Sequence, residues 1–404
     1  MAPSVIVQRG QLPPPNLAVG RARALLLFIG LAVLAACSSH PVTPLALEDI
    51  PPLQWQGRSL TTEFALTQAP SPDLLAIDPQ MVDFVKRYTG DAVNGRQRLM
   101  SLHQAISGAG ALDLQYDPFA DGSAIETFHR GNANCLSYTH LFVALAREAG
   151  LDASYQWQEV RPRWNRNGER VVVGMHVSTL VKLRRGEQFV VDIDPLPTRE
   201  ITDSHKISDR EALALHHNNV AMDALANENL EVAWAQGLRA LELSPDNASL
   251  WANLGAIYRF AGQHAQAEHS YLYALQLDQR TYSAMTNLVI LYGLDGREEE
   301  QQYWLGRVER YREANPYYHA SLGEQAGEEG DWNVALRHYD QALELNPDDS
   351  HILFARGLVH QQLGQFGLAS DDIKRAIERA TLNSDIRSYQ QALEEVHKER
   401  LAGV

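Results

Sequence analysis

The amino-acid sequence predicts two domains, an α+β domain with an antiparallel sheet and, after it, an all-α solenoid of helical repeats. Between residues 153 and 194, alternating residues are interrupted by turn signals, which is typical of an antiparallel meander. The C-terminal half repeats with a period of 34 residues, which indicates stacked helix pairs. With 404 residues, 45% of them hydrophobic, the chain is long enough for two cores.

The charge balance and the histidines limit the ligands that we expect. A formal net charge of −15 argues against nucleic acid as a partner, because no basic stripe is available to replace its counterions. His216 and His217 are adjacent but have no Cys or acidic cluster at ligand spacing, so we expect neither a metal site nor a cofactor.

The first residues have the pattern of an export signal. Three arginines at positions 9, 21 and 23 precede the apolar run Ala24–Ala36. This run is 13 residues long, against the roughly 20 that a membrane-spanning helix needs, so a cleaved signal over residues 1–36 is predicted.

The signal ends in Leu34-Ala35-Ala36-Cys37-Ser38, which resembles the lipobox of bacterial lipoproteins. The resemblance implies that Cys37 is diacylated and holds the protein on a membrane surface. The expected location is the cell envelope, and Ser38 favours the outer membrane, with the protein facing the periplasm. The proline-rich stretch 37–54 is predicted to be the tether. An ordinary secretory signal with an incidental cysteine is the alternative.

Five copies of the 34-residue period begin at Ala214, Ala248, Tyr282, Pro316 and Ser350. The second copy is the clearest and contains Trp251, Leu254, Gly255, Tyr258, Gly262, Ala267, Tyr271 and Ala274. This pattern resembles the tetratricopeptide repeat (TPR) family, in which small residues let two antiparallel helices approach closely. The resemblance implies five TPR units over residues 206–382 and a cap helix over 383–404. The third copy is irregular at Gln301 and Val308, which predicts a bend there.

A TPR stack has a concave groove that binds a protein or peptide. The same position of three successive copies is Asn219, Asn253 and Asn287, so their amides are expected to form a ladder along an extended peptide. The alternative is that Asn is merely common at this position.

The N-terminal domain, predicted over residues 55–205, contains the possible chemistry. A buried helix is expected from Leu136 to Gly150, directly after Cys135. The expected strands are Leu112–Tyr116, Ala153–Val160, Arg170–Lys182 and Gln188–Asp194.

Cys135 has no disulfide partner if Cys37 is lipidated, and it begins a helix. A thiol in the first helical turn meets free N–H groups and the positive end of the helix dipole, which favour the thiolate. His176 and Asp192 follow on successive strands, in the order that a thiol nucleophile, its base and an orienting acid require. Asp194 shares a strand face with Asp192 and is the alternative acid.

Residues 123–195 resemble the transglutaminase-like branch of the papain-like thiol enzymes. The resemblance rests on Asn134-Cys135-Leu136-Ser137-Tyr138, the helix ending at Gly150-Leu151, the strand with His176, and Val190-Val191-Asp192. It implies that Cys135 is the nucleophile, His176 its base and Asp192 the residue that orients the base, in acyl transfer from an amide. Family members often have Trp soon after the histidine, where this chain has Val177 and Ser178.

Two function hypotheses from different classes follow. In the first, the Cys-His-Asp site cleaves or transfers an amide in a substrate that the TPR groove recruits. In the second, the protein is a non-catalytic TPR adaptor with a degenerate transglutaminase-like domain.

His129 and His140 are weaker candidates for the base, and His140 lies five residues along Cys135's own helix, where it cannot face the thiol.

Overall fold

A computed structural model of the protein describes residues 5–9, 46–108, 111–160, 163–164, 171–172, 175–194, 201–380 and 382–402. The predicted signal run Ala24–Ala36, the lipidation site Cys37 and residues 170 and 173–174 of the expected strand Arg170–Lys182 lie outside these residues. Within them an α+β part with an antiparallel sheet precedes a helical solenoid, so the predicted fold class is confirmed. Across the described segments, no helix has both the length and the apolar character that crossing a membrane requires.

The strands and the first five helices precede the solenoid in the chain. The strands are β1 Val5–Arg9, β2 Leu53–Trp55, β3 Arg58–Leu60, β4 Gln115–Tyr116, β5 Asn132–Ala133, β6 Asp152–Val160, β7 Arg163–Trp164, β8 Val171–Val172, β9 Met175–Lys182, β10 Gln188–Asp192 and β11 Ile201–Ile207. The helices are α1 Thr62–Gln68, α2 Pro79–Thr89, α3 Gly95–Ser107, α4 Ala124–Arg130 and α5 Cys135–Glu148. The main sheet has the order β1-β10-β9-β6-β11, and all of its neighbouring strands are antiparallel.

Helix α5 packs against one face of this sheet. Every residue from Leu136 to Ala146 is buried. Val181 of β9 and Phe189 and Val191 of β10 share a core with the apolar side chains of α5. Gly150, at φ 74°, ends the helix segment in the left-handed region that glycine adopts without strain.

Ten helices in five pairs form the solenoid, and a single helix follows them. They are α6 Asp209–Ala226, α7 Leu230–Leu243, α8 Ala248–Phe260, α9 His264–Leu277, α10 Tyr282–Leu294, α11 Glu298–Glu313, α12 Pro316–Glu328, α13 Trp332–Leu345, α14 Ser350–Gln362, α15 Phe366–Arg379 and α16 Asn383–Ala402. The helices α8, α10, α12 and α14 begin where the sequence copies begin, whereas α6 begins ahead of Ala214. A Cβ atom at Gly255 would lie 2.5 Å from the ring of Tyr271, so glycine permits the close approach within this pair.

The irregular third copy coincides with a break in the solenoid core. One buried cluster extends to Trp304 and Val308 on α11, and the next begins at Ala320 on α12. The helices themselves are continuous at this point. Gln301 packs against Gly293 and donates a hydrogen bond of 3.3 Å to the Val289 carbonyl.

Residues 46–69 pack against the solenoid, which differs from the predicted boundaries. Leu53 is completely buried in a core that also contains Trp234 of α7. Arg239 of α7 donates hydrogen bonds of 2.6 and 2.8 Å to the carbonyls of Leu66 and Ala69. The predicted tether over residues 37–54 is therefore wrong for its last residues, and 55–69 belong with the solenoid. The physical reason is that the first two helix pairs leave apolar surface around Trp234 and Tyr258, and this segment covers it.

We expect Leu53→Ala to lower the free energy of unfolding by about 2–5 kcal/mol, because it removes a fully buried side chain from this core. Urea unfolding followed by far-ultraviolet circular dichroism measures the change. Val93→Ala is the matched control, since Val93 is 85% exposed and its truncation should change stability by less than about 0.5 kcal/mol. Equal stability of the two variants would show that the segment does not cap the solenoid.

Candidate active site

Cys135 is the first residue of α5, and its side chain is partly accessible. Asn134 precedes it as the N-cap, and the Asn134 and Ser137 side chains each bond the other residue's backbone N–H. The N–H of Cys135 belongs to the first turn, where a helix offers no acceptor of its own. The thiol therefore lies at the positive end of the helix dipole.

The loop before α4 fixes the start of α5. The Ala120 carbonyl accepts hydrogen bonds from the Asn134 N–H at 3.1 Å and from the Ser137 hydroxyl at 2.7 Å. The Arg130 guanidinium also donates to this carbonyl, at 2.9 Å. The position of Cys135 is thus set by the loop as well as by its own helix.

Strands β9 and β10 bring His176 and Asp192 to the end of the sheet where α5 begins. His176 is near the start of β9, Asp192 ends β10, and the two strands are antiparallel, with Val191 opposite Thr179. The two side chains are therefore diagonal neighbours on one face. The Thr139 hydroxyl links α5 to β9, because it lies within hydrogen-bond distance of the Cys135 carbonyl, at 2.7 Å, and of the Val177 carbonyl, at 3.2 Å.

The three predicted catalytic residues lie together at one end of the sheet. His176 Nε2 bonds Asp192 Oδ2 in a buried ion pair, and Cys135 lies close enough to the imidazole to affect its pKa. Since Nε2 is engaged by Asp192, the remaining nitrogen, Nδ1, is the one available to Cys135. Asp192 thereby holds the ring in the orientation that presents Nδ1 to the sulfur.

The charges around His176 favour its protonated form. Burial lowers the pKa of His176, but the hydrogen bonds and negative charges of Asp192 and Cys135 outweigh burial and raise the pKa to about 10. An imidazolium beside a thiol stabilises the thiolate, so the arrangement suits a nucleophilic sulfur.

The alternative candidates for the acid and the base have other hydrogen-bond partners. Asp194 does not contact His176, and its N–H donates to Asp192 Oδ1 at 3.3 Å, which helps to hold that carboxylate. His140 Nδ1 pairs with the Tyr155 hydroxyl at 2.7 Å. His129 Nε2 pairs with Asp78 Oδ2 at 2.6 Å.

The three asparagines predicted to form a ladder are all half-buried on the first helices of their pairs. Asn253 donates an amide hydrogen bond of 2.7 Å to Asn218 Oδ1. Asn287 donates one of 2.9 Å to the Ser283 carbonyl of its own helix. Part of the hydrogen-bonding capacity of Asn253 and Asn287 is therefore used within the solenoid, and Asn219 lies one residue from the partner of Asn253.

Sequence reasoning missed two groups near the thiol. Tyr116 lies on β4 opposite Ala133, two residues before Cys135. Asp121 Oδ2 forms an ion pair of 3.2 Å with His216 Nδ1 on the first solenoid helix. The alternation in Leu112–Tyr116 indicated a strand, but no local signal identified its partner strand.

Asp192→Asn should lower the pKa of His176 by about 1–3 pH units, because it removes the carboxylate charge that stabilises the imidazolium. Nuclear magnetic resonance titration of the His176 ring measures this value. Asp194→Asn is the matched control and should have a smaller effect, since Asp194 does not bond the ring. A larger shift in the Asp194 variant would assign the orienting role to that residue instead.

Comparison with known families shows which parts of the chain are shared with other proteins. The Transglutaminase-like superfamily matches residues 82–193, which include Cys135, His176 and Asp192. A tetratricopeptide repeat family matches residues 237–269, and a TPR repeat family matches 328–364.

Individual relatives match this chain over only part of its length. Hsp70-Hsp90 organizing protein 1 of Arabidopsis thaliana is 32% identical over 73 residues, which are 18% of this chain and 13% of that protein. Among solved structures, Pseudomonas aeruginosa pilF is 17% identical and covers 48% of this chain and 94% of its own, with a TM-score of 0.25. The TPR protein YrrB is 19% identical, covers 45% and 92%, and has a TM-score of 0.23. The family models thus identify a transglutaminase-like domain over residues 82–193, which contain Cys135, and tetratricopeptide repeats in the C-terminal half.

Proposed function

We propose that this protein is a thiol-dependent enzyme that cleaves or transfers an amide, peptide or isopeptide, in a substrate recruited by its TPR solenoid. The observation that carries the proposal is the position of Cys135 at the start of α5, beside the buried His176–Asp192 pair. A nucleophile, a base and an orienting acid placed together have the arrangement that covalent acyl transfer requires.

The reaction follows from the proton positions. The Cys135 sulfur attacks the carbonyl carbon of the amide, and the C=O electron pair moves onto oxygen. Collapse of this intermediate breaks the C–N bond, and His176 gives its proton to the leaving amine. A thioester on Cys135 remains. Water, deprotonated by His176, or an amine then attacks the thioester and releases the thiol.

The solenoid is proposed to recruit the substrate, because stacked helix pairs present an extended groove suited to a peptide. The first helix α6 also contacts the thiol domain directly. Arg147 at the end of α5 forms a two-pronged ion pair with Asp209 of α6, at 2.6 and 2.8 Å. A substrate held by the solenoid would thus be near the domain that acts on it.

The alternative function is a TPR adaptor that does not turn over substrate. One observation favours it: α6 packs into the core of the thiol domain, so the two parts form a docking platform whether or not Cys135 reacts. Cys135→Ala separates the two functions, because it should abolish amide turnover by an enzyme and leave peptide capture by an adaptor intact.

Iodoacetamide alkylation tests the nucleophile. In the full-length Cys37→Ser variant Cys135 is the only thiol. We expect alkylation to be already fast at pH 6, well below the pKa of about 8.5 of a free thiol. The reason is that His176 stays protonated up to about pH 10, and its positive charge favours the thiolate that reacts. His176→Ala should move the pH profile of the rate up to that of an ordinary thiol.

His129→Ala is the matched control for this measurement, since His129 bonds Asp78 and should leave the profile unchanged. If Cys135 remained inert until the protein was denatured, the thiol would be structural, and the enzyme proposal would fail.

We also propose that Cys37 carries the lipid that anchors the protein to a bacterial envelope membrane. This processing would remove residues 1–36 and with them β1, so that β10 would become the edge strand of the main sheet. Cells fed labelled palmitate should incorporate the label into wild-type protein and into Cys135→Ser, and not into Cys37→Ser. Labelling is measured on the purified protein. Unlabelled wild-type protein would favour the ordinary secretory signal instead.

A further inference from the structure

Backbone pairing holds Tyr116 close to the start of α5. The short strand β4 runs parallel to β5, with Tyr116 opposite Ala133. On either side, the Gln115 N–H donates to the Gly131 carbonyl at 3.1 Å and the Asp117 N–H donates to the Ala133 carbonyl at 2.9 Å. Since Ala133 is separated from Cys135 only by the N-cap residue, this pairing fixes the Tyr116 backbone next to the start of α5.

The Tyr116 ring is 47% exposed, so a substrate can reach it. Burial of the hydroxyl and the neighbouring charges of Cys135, Asp194, Asp192 and Asp117 all raise the pKa of Tyr116. The hydroxyl therefore stays protonated and can donate a hydrogen bond.

Attack on an amide by the thiol leaves negative charge on the carbonyl oxygen, and that charge needs donors placed in advance. The Cys135 N–H is one such donor, because it lies in the first turn of α5. We propose that the Tyr116 hydroxyl is the second, and that it donates a hydrogen bond to the oxygen of the tetrahedral intermediate. The inference rests on the proposed thiol chemistry and assigns a further catalytic residue to the same site.

A residue that donates to the oxyanion and a residue that only maintains the packing affect different reactions of Cys135. Acylation of Cys135 by p-nitrophenyl acetate passes through a tetrahedral intermediate with a charged oxygen. Alkylation of Cys135 by iodoacetamide is a displacement at a saturated carbon, and no oxyanion forms. Loss of the Tyr116 hydroxyl should therefore slow acylation and leave alkylation unchanged.

The experiment compares both reactions in full-length Cys37→Ser protein with and without Tyr116→Phe. We expect p-nitrophenol release in the acylation step to fall about 10²–10³-fold, the usual effect of removing one oxyanion donor, while alkylation stays within about twofold. Tyr303→Phe is the control, because Tyr303 is an exposed tyrosine on α11, and neither rate should change.

Three results would overturn the inference. Unchanged acylation in Tyr116→Phe would show that the hydroxyl does not stabilise the intermediate. Equal slowing of both reactions would show that Tyr116 only maintains the structure around Cys135. If native Cys135 reacted with neither reagent before any substitution at Tyr116, the proposed thiol chemistry itself would fail, and the assignment of Tyr116 would fail with it.

Discussion

Burial of α5 by the sheet and by the helices around it is the constraint on which the rest of the structure depends. Its aromatic residues share a core with β9, β10, α2 and α3, and its Leu136 and Val143 pack with the sheet and with Ala212 and Leu215 of α6. Each large apolar side chain that is fully buried contributes on the order of 1.5–3 kcal/mol. A shift of α5 along its axis would lose several of these contacts at once, so the position of Cys135 at its start is fixed by this packing.

The solenoid also acts on the loop that holds the first turn of α5. The Ala120 carbonyl caps that turn, and the next residue, Asp121, pairs with His216 of α6. Burial raises the pKa of Asp121, but its pairing with His216 outweighs burial and holds this pKa below its usual range. The carboxylate is therefore charged at neutral pH. The first repeat helps to order the thiol site and is not simply a module attached to it.

The sequence patterns that predicted correctly are local ones. The 34-residue period predicted helix pairs because each copy contains its own close contact, as Gly255 has with Tyr271. The alternation around His176 predicted strands because side chains change face at every residue. The residues that were missed depend on partners distant in sequence. Nothing near Leu53 indicates that it is buried against α7, and nothing near Tyr116 indicates that it pairs with Ala133.

The buried ion pair links stability to the chemistry of the site. The folded protein raises the pKa of His176 from 6.5 to about 10, so the folded state binds this proton more tightly than the unfolded state does. The resulting stabilisation is complete below about pH 6.5 and is lost as the pH rises through 10. Neutral pH thus lies where His176 is protonated. In the reaction proposed above, the proton needed by the leaving amine would already be on the imidazole before substrate binds. The base that activates water would form only after that proton had left with the amine, so acylation would precede hydrolysis.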